Sequence, residues 1–157
     1  MTIPLDSEFL RGLDSGAAAR LLALRSPIDL PAGSVLFALG SEADRLFLIE
    51  GGRIALTLPM QYEGRDLDLV VEEKGVGEMV GWSALIPPHR FTLKAAAPVN
   101  ATLLAIPRAA LLEEFAAHPE VAHAVTRNIA AVVGQRLQVF QAMWLRQMQR
   151  LLELRVA

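Results

Sequence analysis

The middle of the chain consists of short apolar runs that end at glycine-containing turns. Several such runs lie in residues 26–60, where turns at residues 31–33, 40–41 and 51–52 separate them. An apolar or alternating run of four to eight residues bounded by glycine is typical of a β-strand. Seven or eight strands of this kind predict a small barrel or a double-sheet jelly roll.

Helical patterns flank the strands. Residues 8–13 (EFLRGL) and 16–25 (GAAARLLALR) predict two short N-terminal helices, with Ser7 and Ser15 as the expected caps. After the strands, RAALLEEFAAH predicts a further short helix, and Pro119 begins a segment without internal proline. We therefore expect an α+β chain with two parts: residues 1–118 form the N-terminal helices and the β-roll, and residues 119–157 form one long helix.

One apolar face runs along the predicted long helix. At 1.5 Å per residue the helix is roughly 55 Å long, which exceeds what a small roll can cover. An uncovered apolar face normally finds a partner, so we predict a homodimer interface here. Folding back onto the same chain and lying on a membrane surface are the alternatives. The predicted interface residues are spaced by three or four positions and are Ile129, Val133, Leu137, Phe140, Trp144, Met148 and Leu151.

The sequence predicts that the charged side chains near this face and at one strand end are exposed to solvent. The arginines beside the apolar face are expected to form a solvated surface, and they are Arg136, Arg146, Arg150 and Arg155. Glu72, Glu73 and Lys74 close an alternating run and are expected to be a solvated strand end.

Composition excludes several classes of function. The 157 residues include no cysteine, which removes disulfides and thiolate metal sites, and the net charge of −2 argues against a surface that coats nucleic acid. Neither a signal peptide nor an apolar run of membrane-spanning length is visible, so we expect a cytoplasmic protein without a membrane span. His118 and His123 do not share a helical face, and no nucleophilic triad is supported; hence neither a metal site nor an enzyme is predicted.

Four segments, in order and at the right separations, carry a resemblance to a known family. They are LPAGSVLFALGSEADRLFLIEGGRIAL (30–56), GVGEMVGW (75–82), TLKA (92–95) and AHPEVAHAVTRNIAAVVGQRLQ (117–138). Together they resemble the cyclic-nucleotide-binding domain of the catabolite-activator-protein superfamily, from about Phe9 to Trp144. The resemblance implies a double-sheet β-roll, a long dimerisation helix and a non-catalytic regulatory role.

The resemblance also implies where a ligand would bind. In the family, backbone amides of a short helix and an arginine hold the cyclic phosphate, a glutamate accepts from the ribose, and a residue of the long helix contacts the base. Here Trp82 stands at the glutamate position and His89 at the arginine position, with Arg90 next to it, while Phe140 stands at the base-contacting position with Gln141 beside it. The candidate ligand-binding residues are Gly81, Trp82, Ser83, Ala84, His89, Arg90, Thr92 and Gln141.

These replacements predict weak binding of cyclic AMP or cyclic GMP, because the phosphate and ribose each lose a partner. Our first hypothesis is a regulatory domain that senses another small ligand, in which Trp82 stacks on the ligand and His89 or Arg90 binds an anion. Two alternatives remain: a ligand-free dimeric module that binds a protein partner, with Trp82 and Phe140 filling the pocket, and a cyclic-nucleotide receptor that uses Arg90.

Transcription factors of this superfamily carry a helix-turn-helix domain after the long helix. Such a domain needs about 60 residues, more than follow the predicted helix in this sequence. We therefore expect that this chain either acts without direct DNA binding or is a piece of a longer protein.

Overall fold

The computed structural model describes residues 7–156, with side chains described through residue 154. Three helices and eight strands follow one another in the order α1 (Ser15–Ala23), β1 (Ser26–Leu30), β2 (Val35–Phe37), β3 (Arg45–Gly51), β4 (Ile54–Tyr62), β5 (Arg65–Lys74), β6 (Met79–Val80), β7 (Lys94–Ala96), β8 (Ala101–Pro107), α2 (Arg108–Ala117) and α3 (Pro119–Val156). The α+β class, the strand number and the long final helix are as the sequence predicts.

The strands form two antiparallel sheets of four strands each. One sheet has the order β1-β8-β3-β6 and the other has the order β2-β7-β4-β5. A single apolar core contains side chains from both sheets, with Leu46 and Leu103 from the first and Leu56 and Ala95 from the second. The prediction of a double-sheet β-roll is confirmed.

Strand β3 is buried on both of its faces. Leu46, Phe47, Leu48 and Ile49 are each at most 5% exposed, although successive side chains of a strand point to opposite sides. Both faces of this strand are therefore covered by other parts of the chain. This explains why the sequence shows continuous apolar runs here and not a clean alternation.

The turn between β3 and β4 requires glycine. Gly52 has a φ of +73°, in the left-handed region, and a Cβ at this position would clash with the backbone oxygen of Asn100. The close approach of the two chain segments fixes this corner of the roll.

The N-terminal prediction is partly wrong. Residues 7–12 form turns and not a helix; Ser7 Oγ accepts a hydrogen bond from the Leu10 amide at 3.3 Å. The segment is too short for a stable helix and contains Gly12, whose φ is +79°. The cap of α1 is Asp14 and not Ser15, because Asp14 Oδ1 accepts from the Ala17 amide at 2.8 Å.

Replacing Asp14 by alanine should lower the free energy of unfolding by about 1 kcal/mol, since the Ala17 amide loses its acceptor. Chemical denaturation followed by circular dichroism measures the change. Ser15→Ala is the matched control and should change stability by less than about 0.5 kcal/mol. Equal effects of the two substitutions would contradict the assignment of the cap.

Helix α3 is buried at its start and exposed beyond its middle. Val121, Val125, Ile129 and Val132 belong to the core of the roll, and each is at most 5% exposed. The predicted interface therefore loses Ile129, which is buried by its own chain. Further along, Leu137, Trp144 and Leu151 are 58%, 63% and 44% exposed, while Val133, Phe140 and Met148 are half-buried.

Between residues 7 and 156, no helix has both the length and the apolar composition needed to cross a bilayer.

Candidate functional site

The predicted ligand-binding residues begin at Gly81, which no other residue can replace without strain. Gly81 follows β6, has a φ of +83° and precedes a single 3-10 turn, Trp82–Ala84, which we call the cassette turn. A Cβ on Gly81 would lie 3.0 Å from the Arg45 carbonyl oxygen and 3.2 Å from the Phe91 ring. The sequence thus brings the cassette turn against β3 and the aromatic centre of the roll.

The cavity behind the cassette turn is very small. Its volume is about 10 Å³, enough for about one water molecule, whereas pockets for small organic ligands measure roughly 300–1,000 Å³. The residues that line the cavity are Phe37, Leu56, Gly81, Trp82, Ser83, Phe91, Thr92, Leu93 and Arg136. Four of the predicted ligand-binding residues, Gly81, Trp82, Ser83 and Thr92, are among them.

Aromatic side chains occupy much of the space that a ligand would need. The rings of Phe37 and Phe91 stack with centroids 3.7 Å apart and planes 8° from parallel, and the Phe47 ring lies 5.9 Å from Phe37. Trp82 is half-buried and packs against the same core. In this conformation the side chains of the roll fill most of the space behind the cassette turn.

The two basic residues predicted to bind an anion do not line this cavity. The Nδ1 of His89 donates to the Ala84 carbonyl oxygen at 3.1 Å, which ties the end of the loop to the cassette turn. Arg90 is exposed and donates from Nη1 to the Gly40 carbonyl oxygen at 3.0 Å. Ala84 is fully buried beside the turn, and Gln141 is exposed on α3.

The cation that does reach the cavity comes from α3. Arg136 was expected on a solvated face, and that expectation is wrong: its side chain is only 9% exposed. Arg146 and Arg150 are exposed, as expected, and the side chain of Arg155 lies outside the described residues. Arg136 is in line with Val132 and Phe140 on the helix, and these neighbours also pack on the roll. The guanidinium is therefore carried into the cavity wall by the same face that anchors the helix.

The contacts of Arg136 leave part of its guanidinium free. Nε donates to Glu72 Oε2 at 3.1 Å, and the guanidinium carbon lies 5.8 Å from the centre of the Trp82 ring. This distance is within the range of cation–π attraction. Nη2 is fully buried and has no hydrogen-bond partner among the described residues. A buried donor without an acceptor costs about 1–3 kcal/mol of stability, so an acceptor placed at Nη2 would stabilise the folded protein.

Glu72 links Arg136 to a second buried cation. Lys74 Nζ lies 2.9 Å from Glu72 Oε1, 3.0 Å from Glu78 Oε1 and 3.4 Å from Glu8 Oε1, and its side chain is 2% exposed. We call these five residues, including Arg136, the Lys74 cluster. Burial lowers the pKa of Lys74, but its hydrogen bonds to Glu72 and Glu78 raise the pKa by more than burial lowers it. The pKa of Lys74 therefore stands above its usual value.

The Lys74 cluster corrects the expectation of a solvated strand end. Lys74 is buried and Glu72 is half-buried, while only Glu73 is exposed, where it pairs with Arg53 at 3.7 Å. The cluster joins the turn that contains Glu8, the end of β5, the loop before β6 and α3. The cluster cannot be predicted from the sequence, because its members are separated by up to 128 positions and nothing in the local pattern of any one segment reveals the others.

A double-sheet roll with a glycine-led turn and a long final helix is the architecture that the sequence resemblance implies. The chain matches the cyclic nucleotide-binding domain family over residues 27–118, which is more than half of its length. It therefore belongs to the cyclic nucleotide-binding domain family.

Curated relatives are similar to this chain over about three quarters of its length. A CRP-like cAMP-activated global transcriptional regulator of Mycobacterium tuberculosis is 28% identical over 120 residues, which are 76% of this chain and 52% of the regulator. The chain thus spans about half the length of the curated relatives that it matches.

Two solved structures have the same fold. The N-terminal domain of a transcriptional regulator from Streptomyces coelicolor matches with a TM-score of 0.70 and 27% identity, over 86% of this chain and 94% of that one. The catabolite activator protein of Thermus thermophilus matches with a TM-score of 0.71 at 24% identity, over 91% of this chain and 63% of that one. The second similarity concerns the fold alone.

Proposed function

We propose that this chain is a non-catalytic regulatory module that works without a cyclic nucleotide. The β-roll and the start of α3 form one packed unit, and the exposed remainder of α3 passes its state to a second copy or to a protein partner. The observation that carries the proposal is the cavity of about 10 Å³ behind the cassette turn. A cytoplasmic location and the lack of direct DNA contact by this chain are parts of the same proposal.

The side chains around the cassette turn support this choice over a cyclic-nucleotide receptor. A receptor that uses Arg90 needs that guanidinium inside the roll, and here it donates to Gly40 on the outside. The position that offers a glutamate in the family holds Trp82, which cannot accept a hydrogen bond from a ribose hydroxyl. A cyclic nucleotide would meet neither of its polar partners and would have to displace buried aromatic rings.

Two of the hypotheses drawn from the sequence are compatible with a module that binds no cyclic nucleotide. The closed cavity favours the ligand-free interaction module, in which Trp82 and its neighbours fill the roll. The free Nη2 of Arg136 favours the other, a sensor of a ligand smaller than a nucleotide.

Titration of the purified protein with cyclic AMP or cyclic GMP should produce no binding heat up to about 1 mM, which corresponds to about 4 kcal/mol of binding free energy. The physical reason is that neither the phosphate nor the ribose meets a polar partner. Isothermal titration calorimetry makes the measurement. The cAMP-activated regulator of Mycobacterium tuberculosis, titrated in the same buffer, is the positive control. A dissociation constant below about 100 µM for either nucleotide would refute the proposal.

A further inference from the structure

We propose that Arg136 makes the cavity behind the cassette turn a binding site for a small oxyanion, such as a phosphate or carboxylate group, with the cation supplied by α3 and not by the cassette. This goes beyond the proposed function, since indifference to cyclic nucleotides holds whether or not oxyanions bind.

Arg136 offers an unpaired donor at this cavity. Among the charged side chains described here, Arg136 is the only one that lines this cavity, and its side chain is more than nine-tenths buried. Its Nε donates to Glu72, and its Nη2 is buried without an acceptor among the described residues. An oxyanion can accept from Nη2 without displacing Glu72, because the guanidinium has five N–H donors in a fixed fork. An ionised acceptor would also satisfy the donor more strongly than a neutral one.

An oxyanion can enter the cavity most readily at Trp82. Trp82 is the half-buried wall of the cavity, whereas Phe37, Phe91 and Leu93 on the other sides are at most 9% exposed. Rotation of the Trp82 side chain therefore opens the cavity toward solvent with the least disturbance of the core. Because Trp82 also lies over the guanidinium, an oxyanion that enters competes with a weak cation–π contact and not with the ion pair.

Glu72 opposes the binding of an oxyanion beside Arg136. This carboxylate shares its charge between Arg136 and Lys74, at 3.1 and 2.9 Å, and it repels an incoming oxyanion. Neutralising Glu72 should therefore strengthen oxyanion binding, whereas neutralising Arg136 should abolish it. If Arg136 had only a structural role, both substitutions would act in the same direction.

The experiment titrates inorganic phosphate and acetate, at constant ionic strength, into the full chain and into Trp82→Ala, which opens the cavity. We expect Trp82→Ala to bind phosphate with a millimolar dissociation constant and at least about tenfold more tightly than the unmodified protein. In the Trp82→Ala background, Arg136→Gln should weaken binding at least about tenfold, and Glu72→Gln should tighten it about threefold or more. Arg90→Gln, an exposed arginine of the same region, is the matched control and should leave binding unchanged.

Three results would overturn the proposal: no binding of either probe by Trp82→Ala up to about 20 mM, roughly twentyfold above a dissociation constant of about 1 mM; binding that survives Arg136→Gln; or binding that is lost in Arg90→Gln. If Trp82→Ala with Arg136→Gln does not fold, the variant that also carries Glu72→Gln removes both charges of the pair and takes its place. Binding retained by that triple variant would overturn the proposal equally.

Discussion

Replacing Lys74 by methionine should lower the free energy of unfolding by about 3 kcal/mol, because removal of one partner from a buried ion pair leaves the other charges uncompensated. The ammonium of Lys74 lies within 3.4 Å of three carboxylates, from Glu8, Glu72 and Glu78. Methionine keeps the length of the aliphatic chain, so the loss isolates the charge. Urea unfolding followed by circular dichroism measures the effect.

Lys94→Met is the matched control for this prediction. Lys94 pairs with Asp68, but the two side chains are 27% and 41% exposed, so the substitution should cost less than about 1 kcal/mol. Similar losses in the two variants would show that burial of Lys74 adds nothing to its role in stability.

The contribution of Lys74 should also depend on pH in one direction. The folded-state pKa of Lys74 is raised above its unfolded value, which is about 10.4. A raised lysine pKa contributes its full stabilisation below the unfolded pKa, and the contribution disappears as the pH rises through the folded pKa. The difference in stability between the unmodified protein and Lys74→Met should therefore hold up to about pH 10 and shrink above it.

The sequence predicts the architecture because the fold depends on local patterns. Glycine turns and apolar runs predict the strands of the roll, and the absence of proline after Pro119 predicts the full length of α3. The first helix was predicted wrongly where local signals compete: residues 8–13 have a helical composition, but Gly12 and the turn at Ser7 prevent a helix.

The site was harder to predict because it depends on contacts between distant segments. The family resemblance gives the position of the cassette turn but not the contacts of His89 and Arg90, neither of which lines the cavity. Arg136 did leave a signal in the sequence: it stands four residues after Val132 and four before Phe140, within an apolar helical stripe. A charged residue in such a stripe requires a buried partner, and Glu72 is that partner.

Replacing Trp144 by aspartate should weaken self-association of the protein by roughly 30- to 100-fold, or about 2–3 kcal/mol, the loss typical of a central aromatic residue in an interface. We propose the homodimer because the exposed side chains of Leu137, Trp144 and Leu151 recur every seven residues on α3. A seven-residue apolar repeat keeps one face of a helix toward a partner helix. The core of the roll covers the start of α3, whereas the side chains of Leu137, Trp144 and Leu151 stay exposed along the later part of the helix.

Sedimentation equilibrium over a range of protein concentrations measures the dissociation constant of the dimer. Gln149→Asp introduces the same charge on the same exposed helix, but its side chain projects about 140° away from the apolar face, so the mass should stay that of a dimer. If Gln149→Asp weakens association as much as Trp144→Asp does, added negative charge and not the apolar face explains the loss. A monomeric unmodified protein at about 100 µM, a concentration at which even weak specific dimers form, would remove the homodimer from the proposal and leave a different protein as the partner of α3.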